Sequence, residues 1–299
     1  MKKIILVTFL VASATLVTKA QDATVKDLQN AANKEVKNSD TLLDGWKHSG
    51  TFILNLNQGS LQNWAAGGEQ NTLGISSIFN YGINYRNGKN TWDNYFDLAL
   101  GFQNATSFNR LRKIDDRIDI TSKYGHQVAP KWYVAGLVNF NSQALAGYDY
   151  ETNTKISNFL TPGKIILSLG MDYRPNDNLS IFISPISTRW ILKNDADFFA
   201  IDKFGVPAFS KSYNEIGAYI TAKYTKPVTT WATYTGRLDL FSNYKRKPEN
   251  VDVFFTNLLV LKFNKWLGST ISVDMIYDDD VISKLQLKEI FGLGLTLNL

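Results

Sequence analysis

Residues 71–104 read NTLGISSIFNYGINYRNGKNTWDNYFDLALGFQN. In steps of two, Gly74, Ser76, Ile78, Asn80, Gly82 and Asn84 form one row, and Ile75, Ser77, Phe79, Tyr81, Ile83 and Tyr85 form the other. After Arg86-Asn87-Gly88-Lys89 the alternation resumes, with Trp92, Asn94, Phe96, Leu98, Leu100 and Phe102 set against Asp93, Tyr95, Asp97, Ala99, Gly101 and Gln103. Successive side chains of a strand leave opposite faces, so a period of two with one apolar row predicts strands. Asn87-Gly88 between the runs predicts a tight hairpin with positive φ at both turn residues. Each run exceeds the roughly five or six residues usual in soluble proteins and suffices for the roughly 9–11 of a tilted strand crossing a bilayer. One row is aliphatic and aromatic, while the other carries Asn, Asp, Gln, Gly and Ser. That is the pattern of a transmembrane barrel hairpin, with lipid outside and a polar lumen inside.

Outward from this hairpin the alternation runs from Ser49 to the last residue. It predicts about twelve strands, near 49–58, 72–86, 91–104, 114–127, 131–143, 164–174, 178–189, 213–225, 229–244, 250–263, 268–277 and 286–299. Short connections (Asn87–Asn90, Val128–Pro130, Pro175–Asp177, Lys226–Val228, Asn264–Leu267) alternate with longer ones (Gly59–Asn71, Ala105–Lys113, Ala144–Gly163, Trp190–Ser212, Lys245–Glu249, Asp278–Leu285). The expected fold is all-β, a transmembrane antiparallel β-barrel of about twelve strands with short periplasmic turns and longer extracellular loops. Tyr85, Trp92, Trp132, Tyr173, Tyr224, Trp231, Phe263 and Trp266 sit beside the short turns. Rings with one polar edge favour the membrane–water interface, so they read as a periplasmic girdle. The chain ends in an amphipathic segment, with Phe291, Leu293, Leu295, Leu297 and Leu299 outward and Gly292, Gly294 and Thr296 inward. It resembles the signal read by the outer-membrane barrel-insertion machinery, although it closes on Leu rather than Phe.

Residues 1–20 have the form of a secretory signal peptide: Lys2 and Lys3, an apolar run from Ile4 to Val17, then Thr18-Lys19-Ala20. Residues 21–45 are polar and read as a periplasmic lead, with a short helix over Val25–Val36, and the barrel occupies 46–299. The 299 residues contain no cysteine, which excludes disulfides and thiolate chemistry. Formal charge is +5, and removing the three lysines of the leader leaves +2, too little to argue for nucleic acid.

Charged side chains fall on the polar row. Alternation points Asp97, Asp115, Arg117, Asp119, Lys123, Glu215, Arg237, Asp239 and Asp274 into the lumen, with Asp172, Arg174, Lys223 and Lys288 beside them. A cationic side chain on the lipid face costs about 2–4 kcal/mol at mid-membrane. These groups read either as a charged constriction selecting solutes or as acids and bases that neutralise one another and fill a narrow lumen. Arg117 is expected among three carboxylates, Asp115 and Asp119 on its own strand and Asp97 across the pair. His48 and His126 stand in no recognisable Ser–His spacing, so no catalytic residue is assigned and an enzyme is not expected. Asp278-Asp279-Asp280 offers oxygen ligands without the Gly and distal Glu of a calcium loop, and reads as a solvated or salt-bridged loop. No metal or cofactor is expected. Asn63-Trp64-Ala65-Ala66-Gly67-Gly68 is apolar for a free loop and reads as a plug in the barrel mouth or a packed loop.

Several stretches carry a resemblance: the Asn63–Gly68 run, Arg112-Lys113-Ile114-Asp115-Asp116-Arg117, Ser122-Lys123-Tyr124-Gly125, Ser157-Asn158-Phe159 with Pro162, Phe241-Ser242-Asn243-Tyr244 and Tyr277-Asp278-Asp279-Asp280. Together they resemble an uncharacterised, signal-bearing family of the Bacteroidota with a domain of unknown function. The resemblance implies an outer-membrane barrel and supplies no activity or catalytic residue. The functional expectation is therefore a porin-like channel or transporter for small polar solutes in the cell outer membrane, in contact with its lipids. The alternative is a non-conducting structural or loop-binding barrel.

Overall fold

A computed structural model describes residues 44–60, 71–108, 110–176, 178–280 and 282–298. The expected signal peptide, lead helix and plug segment lie outside the described residues. The strands are β1 (Gly45–Ser60), β2 (Asn71–Asn87), β3 (Asn90–Ala105), β4 (Arg112–Ala129), β5 (Trp132–Ser142), β6 (Gly147–Asp149), β7 (Thr154–Ser157), β8 (Gly163–Asn176), β9 (Leu179–Leu192), β10 (Ser212–Pro227), β11 (Ala232–Asn243), β12 (Val251–Lys262), β13 (Leu267–Asp278) and β14 (Ile282–Asn298). Twelve of them pair antiparallel with their neighbours, and β1 closes on β14. The short pair β6–β7 stands apart, inside the connection from β5 to β8. Closure leaves none of these twelve strands at an open sheet edge, the condition for a sheet to stand in lipid.

The expected twelve strands are present, most of them longer than the alternation alone marks. β1 begins at Gly45, which takes His48 into the strand. The leading hairpin turns on Gly88 and Lys89 rather than on Asn87 and Gly88, and of the two turn residues only Gly88 has positive φ, +53°. Asn87 pairs with Asn90 as the last rung of the ladder. Glycine at the first turn position meets the conformational demand by itself. The expected long connection Asp278–Leu285 is short, because β14 already starts at Ile282. Leu285 and Leu287 continue the outward apolar row there, 65% and 64% exposed.

The outward face is studded with exposed large apolar side chains, among them Leu56, Val134, Leu169, Ile186, Phe291 and Leu295. Trp46, Trp92, Trp132, Trp231 and Trp266 are exposed at the short-turn end. Trp46, absent from the expected girdle, packs 4.9 Å from Tyr85 and 5.7 Å from Trp92, and Trp132 lies 4.6 Å from Tyr173.

The interior departs from a purely polar lumen. Ala135, Leu137, Ile166, Phe182, Tyr219 and Phe241 form one buried apolar cluster, and Ile53, Ile78 and Ala99, with Val260 against them, form a second. The bore of a barrel grows with strand number, and at twelve strands side chains still reach across it and fill much of it.

Candidate functional site

Three tiers of ion pairs occupy the lumen. Nearest the short turns, Arg86 meets Asp93 at 2.6 Å, and Arg174 bridges Asp93 at 2.8 Å and Asp172 at 2.7 Å. Lys123 reaches Asp172 at 2.9 Å and donates to Ser180 Oγ at 2.9 Å, while Ser180 donates to Asp172 at 2.8 Å. Four strands, β2, β3, β4 and β8, and the start of β9 thus share one network. Arg174 also lies over the Tyr133 ring, 4.8 Å from its centroid.

In the middle tier Arg117 holds Asp97 at 3.1 Å and reaches across the lumen to Asp274 of β13 at 3.4 Å. Lys288 of β14 joins Asp274 and Asp115, both at 2.9 Å. Arg237 of β11 spans to Asp119 at 3.1 Å and pairs with Asp239 at 2.8 Å. Asp239 accepts a hydrogen bond from Tyr219 at 2.6 Å, and Asp119 accepts from Asn139 at 2.9 Å. The carboxylates expected around Arg117 are therefore redistributed. Asp97 stays, Asp115 goes to Lys288, Asp119 goes to Arg237, and Asp274 arrives from the far wall.

The third tier lies towards the long loops. Arg189 binds Glu215 and Asp252, both at 2.6 Å, and covers the Phe241 ring at 4.1 Å. Glu215 also accepts from Asn243 at 3.0 Å. Lys164 meets Asp278 at 2.7 Å with Phe254 beneath its ammonium. Charges in so confined a space need such partners, since an uncompensated buried ion costs several kcal/mol.

A cavity of about 280 Å³ lies between the first and second tiers. Asp97, Arg117, Asp119, Lys123, Arg237 and Asp274 line it, whereas Asp115, Glu215 and Asp239 do not. Asp115 and Glu215 are buried in pairs outside the cavity, and Asp239 sits behind Arg237. Asp93, Arg86, Lys164, Arg189 and Asp252 were not among the expected site residues. For Asp93 the signal was present, since it shares the inward row of Asp97. Arg189 has a different cause. Phe182 and Ser184 point inward on β9, but a register shift around Pro185 and Ile186 puts Ser187, Arg189 and Ile191 inward instead. Proline lacks the N–H of a ladder bond and belongs at such a bulge.

The three acidic residues after Tyr277 each find a separate partner. Asp278 takes Lys164, Asp279 takes Lys247 at 3.1 Å, and Asp280 takes Arg246 at 3.3 Å. No group of three potential ligands is gathered for a metal among the described residues. His126 Nδ1 lies 2.8 Å from Asn90 Oδ1 near the short turns, and His48 is exposed.

A protein family described as a protein of unknown function (DUF3078) matches residues 56–148, about a third of the chain. A search of curated proteins finds no match. Among solved structures the chain is similar to an outer membrane channel from Pseudomonas putida F1, at 12% identity and TM-score 0.40 over 86% of this chain and 96% of that one. It is similar at 12% identity and TM-score 0.37 to the translocator domain of the autotransporter NalP from Neisseria meningitidis, over 95% and 99% of the two chains. For the NanC porin the values are 8% identity and TM-score 0.39, over 82% and 98%.

Proposed function

We propose that this chain is an outer-membrane β-barrel that passes small polar solutes through a narrow, ion-paired lumen. The observation that carries this reading is the division of one closed barrel into two solvents' worth of surface. Outside, large apolar side chains stand exposed above a tryptophan girdle; inside, a cavity of about 280 Å³ is lined by charged, hydroxyl and amide side chains together with apolar ones such as Ile53 and Val260. Exposed apolar area on this scale is stable against lipid and unfavourable against water. The short turns, with the girdle, face the periplasm in this reading. Arg117 and Arg237, whose ion pairs cross the lumen, form the constriction.

A second reading, a non-conducting structural barrel, is favoured by one observation. Val260 of β12 packs against the Ile53–Ile78–Ala99 cluster, and salt bridges join distant strands above the cavity. Planar-bilayer recording separates the two. Discrete conductance steps that grow when Arg117 or Arg237 is shortened support the channel. A silent bilayer, with wild type and both variants inserted and folded, supports the structural barrel.

A further inference from the structure

We propose that the connection between β9 and β10, residues 193–211, is a movable gate at the long-loop end of the lumen. The proposal rests on reading the barrel as a passage for small polar solutes, and it adds a barrier that opens above the fixed ion pairs. Ile191 of β9 and Tyr213 of β10 stand opposite one another in the register. Ile191 is buried on the inward face, so Tyr213 shares that face. Phe204 and Val206 join Ile191 in a buried apolar cluster, with Tyr213 packed against it. The connection therefore turns into the bore rather than out over the rim. Its tip is a tight turn, in which Lys203 and Val206 bridge each other and Phe204 and Gly205 have φ of +57° and +75°. Glycine adopts that conformation freely and phenylalanine only at a cost, so the ring is held in the mouth against its local preference. Gly205 abuts Asp280, in the turn between β13 and β14, and a Cβ on it would stand 3.3 Å from the Asp280 Cβ. β13 lies three strands further round the barrel than β10. The tip spans a chord of the mouth.

The way this segment is held lets it move as one body. Among the described residues, the backbone hydrogen bonds of 198–210 stay within the connection. The Lys193 side chain, 1% exposed, gathers the segment from inside, donating to the carbonyl oxygens of Ile201, Val206 and Pro207 at 2.6, 3.3 and 3.0 Å. Contacts to neighbouring loops are made by side chains. Lys155 and Asn158, from the connection between β5 and β8, donate to Asp195. Asp280, beneath Gly205, also meets the half-exposed Arg246. The ion pairs lower in the lumen stand on strands laddered on both sides, whereas this body hangs from its two ends. Displacing it breaks the Phe204 and Val206 packing and a few side-chain contacts, and leaves every barrel ladder intact. Segments secured in this way belong to the low-stability end of a fold, from which lids and hinged loops are drawn.

The test is planar-bilayer recording of the full-length barrel, with heat-modifiable gel migration as the check on each fold. The chain has no cysteine, so Gly205→Cys with Asp280→Cys introduces a single pair, near the roughly 3.5–4.5 Å Cβ spacing of a disulfide. Conductance of the reduced double variant should be lost on oxidation and return with reductant. Lys193→Met releases three carbonyls and should raise the open-to-closed ratio about tenfold, the scale of one lost charge-assisted hydrogen bond. Replacing residues 196–209 by a short Gly-Ser linker should leave the barrel open throughout. Should the double variant not fold, Lys193→Met and the linker decide. Conductance that rises with the linker but ignores both the cross-link and Lys193→Met marks a fixed plug and overturns the gate. If wild type conducts and none of the changes alters it, the gate falls and the passage stands. If every form is silent, the linker barrel included, the passage reading falls and the gate with it.

Discussion

Asp97 of β3 and Asp119 of β4 stand directly opposite one another in the strand register, both facing the lumen. Their Cβ atoms are then about 5 Å apart, a distance at which like charges destabilise a sheet. Two guanidinium groups prevent this, Arg117 on Asp97 and Arg237 on Asp119. Arg117→Ala leaves Asp97 without its cation and Asp274 with Lys288 alone. Water reaches part of Asp97, so the expected loss is about 1–3 kcal/mol, seen as a lower melting temperature. In a conducting barrel the same change should shift ion preference towards cations. Adding Asp97→Asn should recover part of the stability, because the two sites share one interaction.

Arg189 should matter more. It is 2% exposed and lies between Glu215 and Asp252. Arg189→Met leaves two buried carboxylates without their cation, at an expected cost of about 3–5 kcal/mol. Urea unfolding of the refolded barrel, followed by gel mobility, measures it. Pairing Arg189→Met with Glu215→Gln should lessen the loss.

The seam between β1 and β14 tolerates little bulk. A Cβ on Gly294 would lie 1.9 Å from the Leu54 carbonyl oxygen, inside van der Waals contact with backbone. Gly294→Ala should therefore hinder closure of the barrel, lowering the yield of heat-modifiable protein on refolding, whereas Ser283→Ala, at the start of β14, should not.

One loop contact is set by pH. The Lys155 ammonium, and after it the Asn158 amide, donates hydrogen bonds to Asp195, and these hold its carboxyl below the usual carboxylate range. A depressed carboxylate stabilises the fold above its unfolded pKa, about 3.9, and that contribution is lost as pH falls through the folded value. Proteolysis of the loop between β9 and β10 should quicken as pH drops below about 4, with a protease active in acid. Asp195→Asn should remove the pH dependence.

The girdle offers a direct test of the membrane reading. Trp46, Trp92, Trp132, Trp231 and Trp266 are exposed at one end of the barrel. In vesicles their fluorescence should be quenched most by lipids brominated close to the headgroup and least by a water-soluble quencher. Equal access to the aqueous quencher for all five would contradict the membrane placement.

The alternation of residue types along the chain was enough to determine the twelve barrel strands, their antiparallel order and, outside β9, the inward or outward side of most of their residues. Those properties are local: a period of two is written residue by residue, and a short connection joins a strand to its neighbour. The same alternation put Asp97, Arg117, Asp119, Lys123, Arg237 and Asp274 on the row that lines the cavity. It failed at β9, where the shift at Pro185 and Ile186 reverses the faces and turns Arg189 inward. Partners across the lumen were beyond it. Arg117 meets Asp274, and Arg237 meets Asp119, only because the sheet closes, and strands 157 and 118 residues apart then share one bore. Closure and strand tilt set which tiers come level, and neither is encoded in any single run of sequence. How far the lumen is filled was likewise decided in three dimensions, by side chains such as Val260 and Ile53 that meet only when opposite walls are drawn round a twelve-strand circumference.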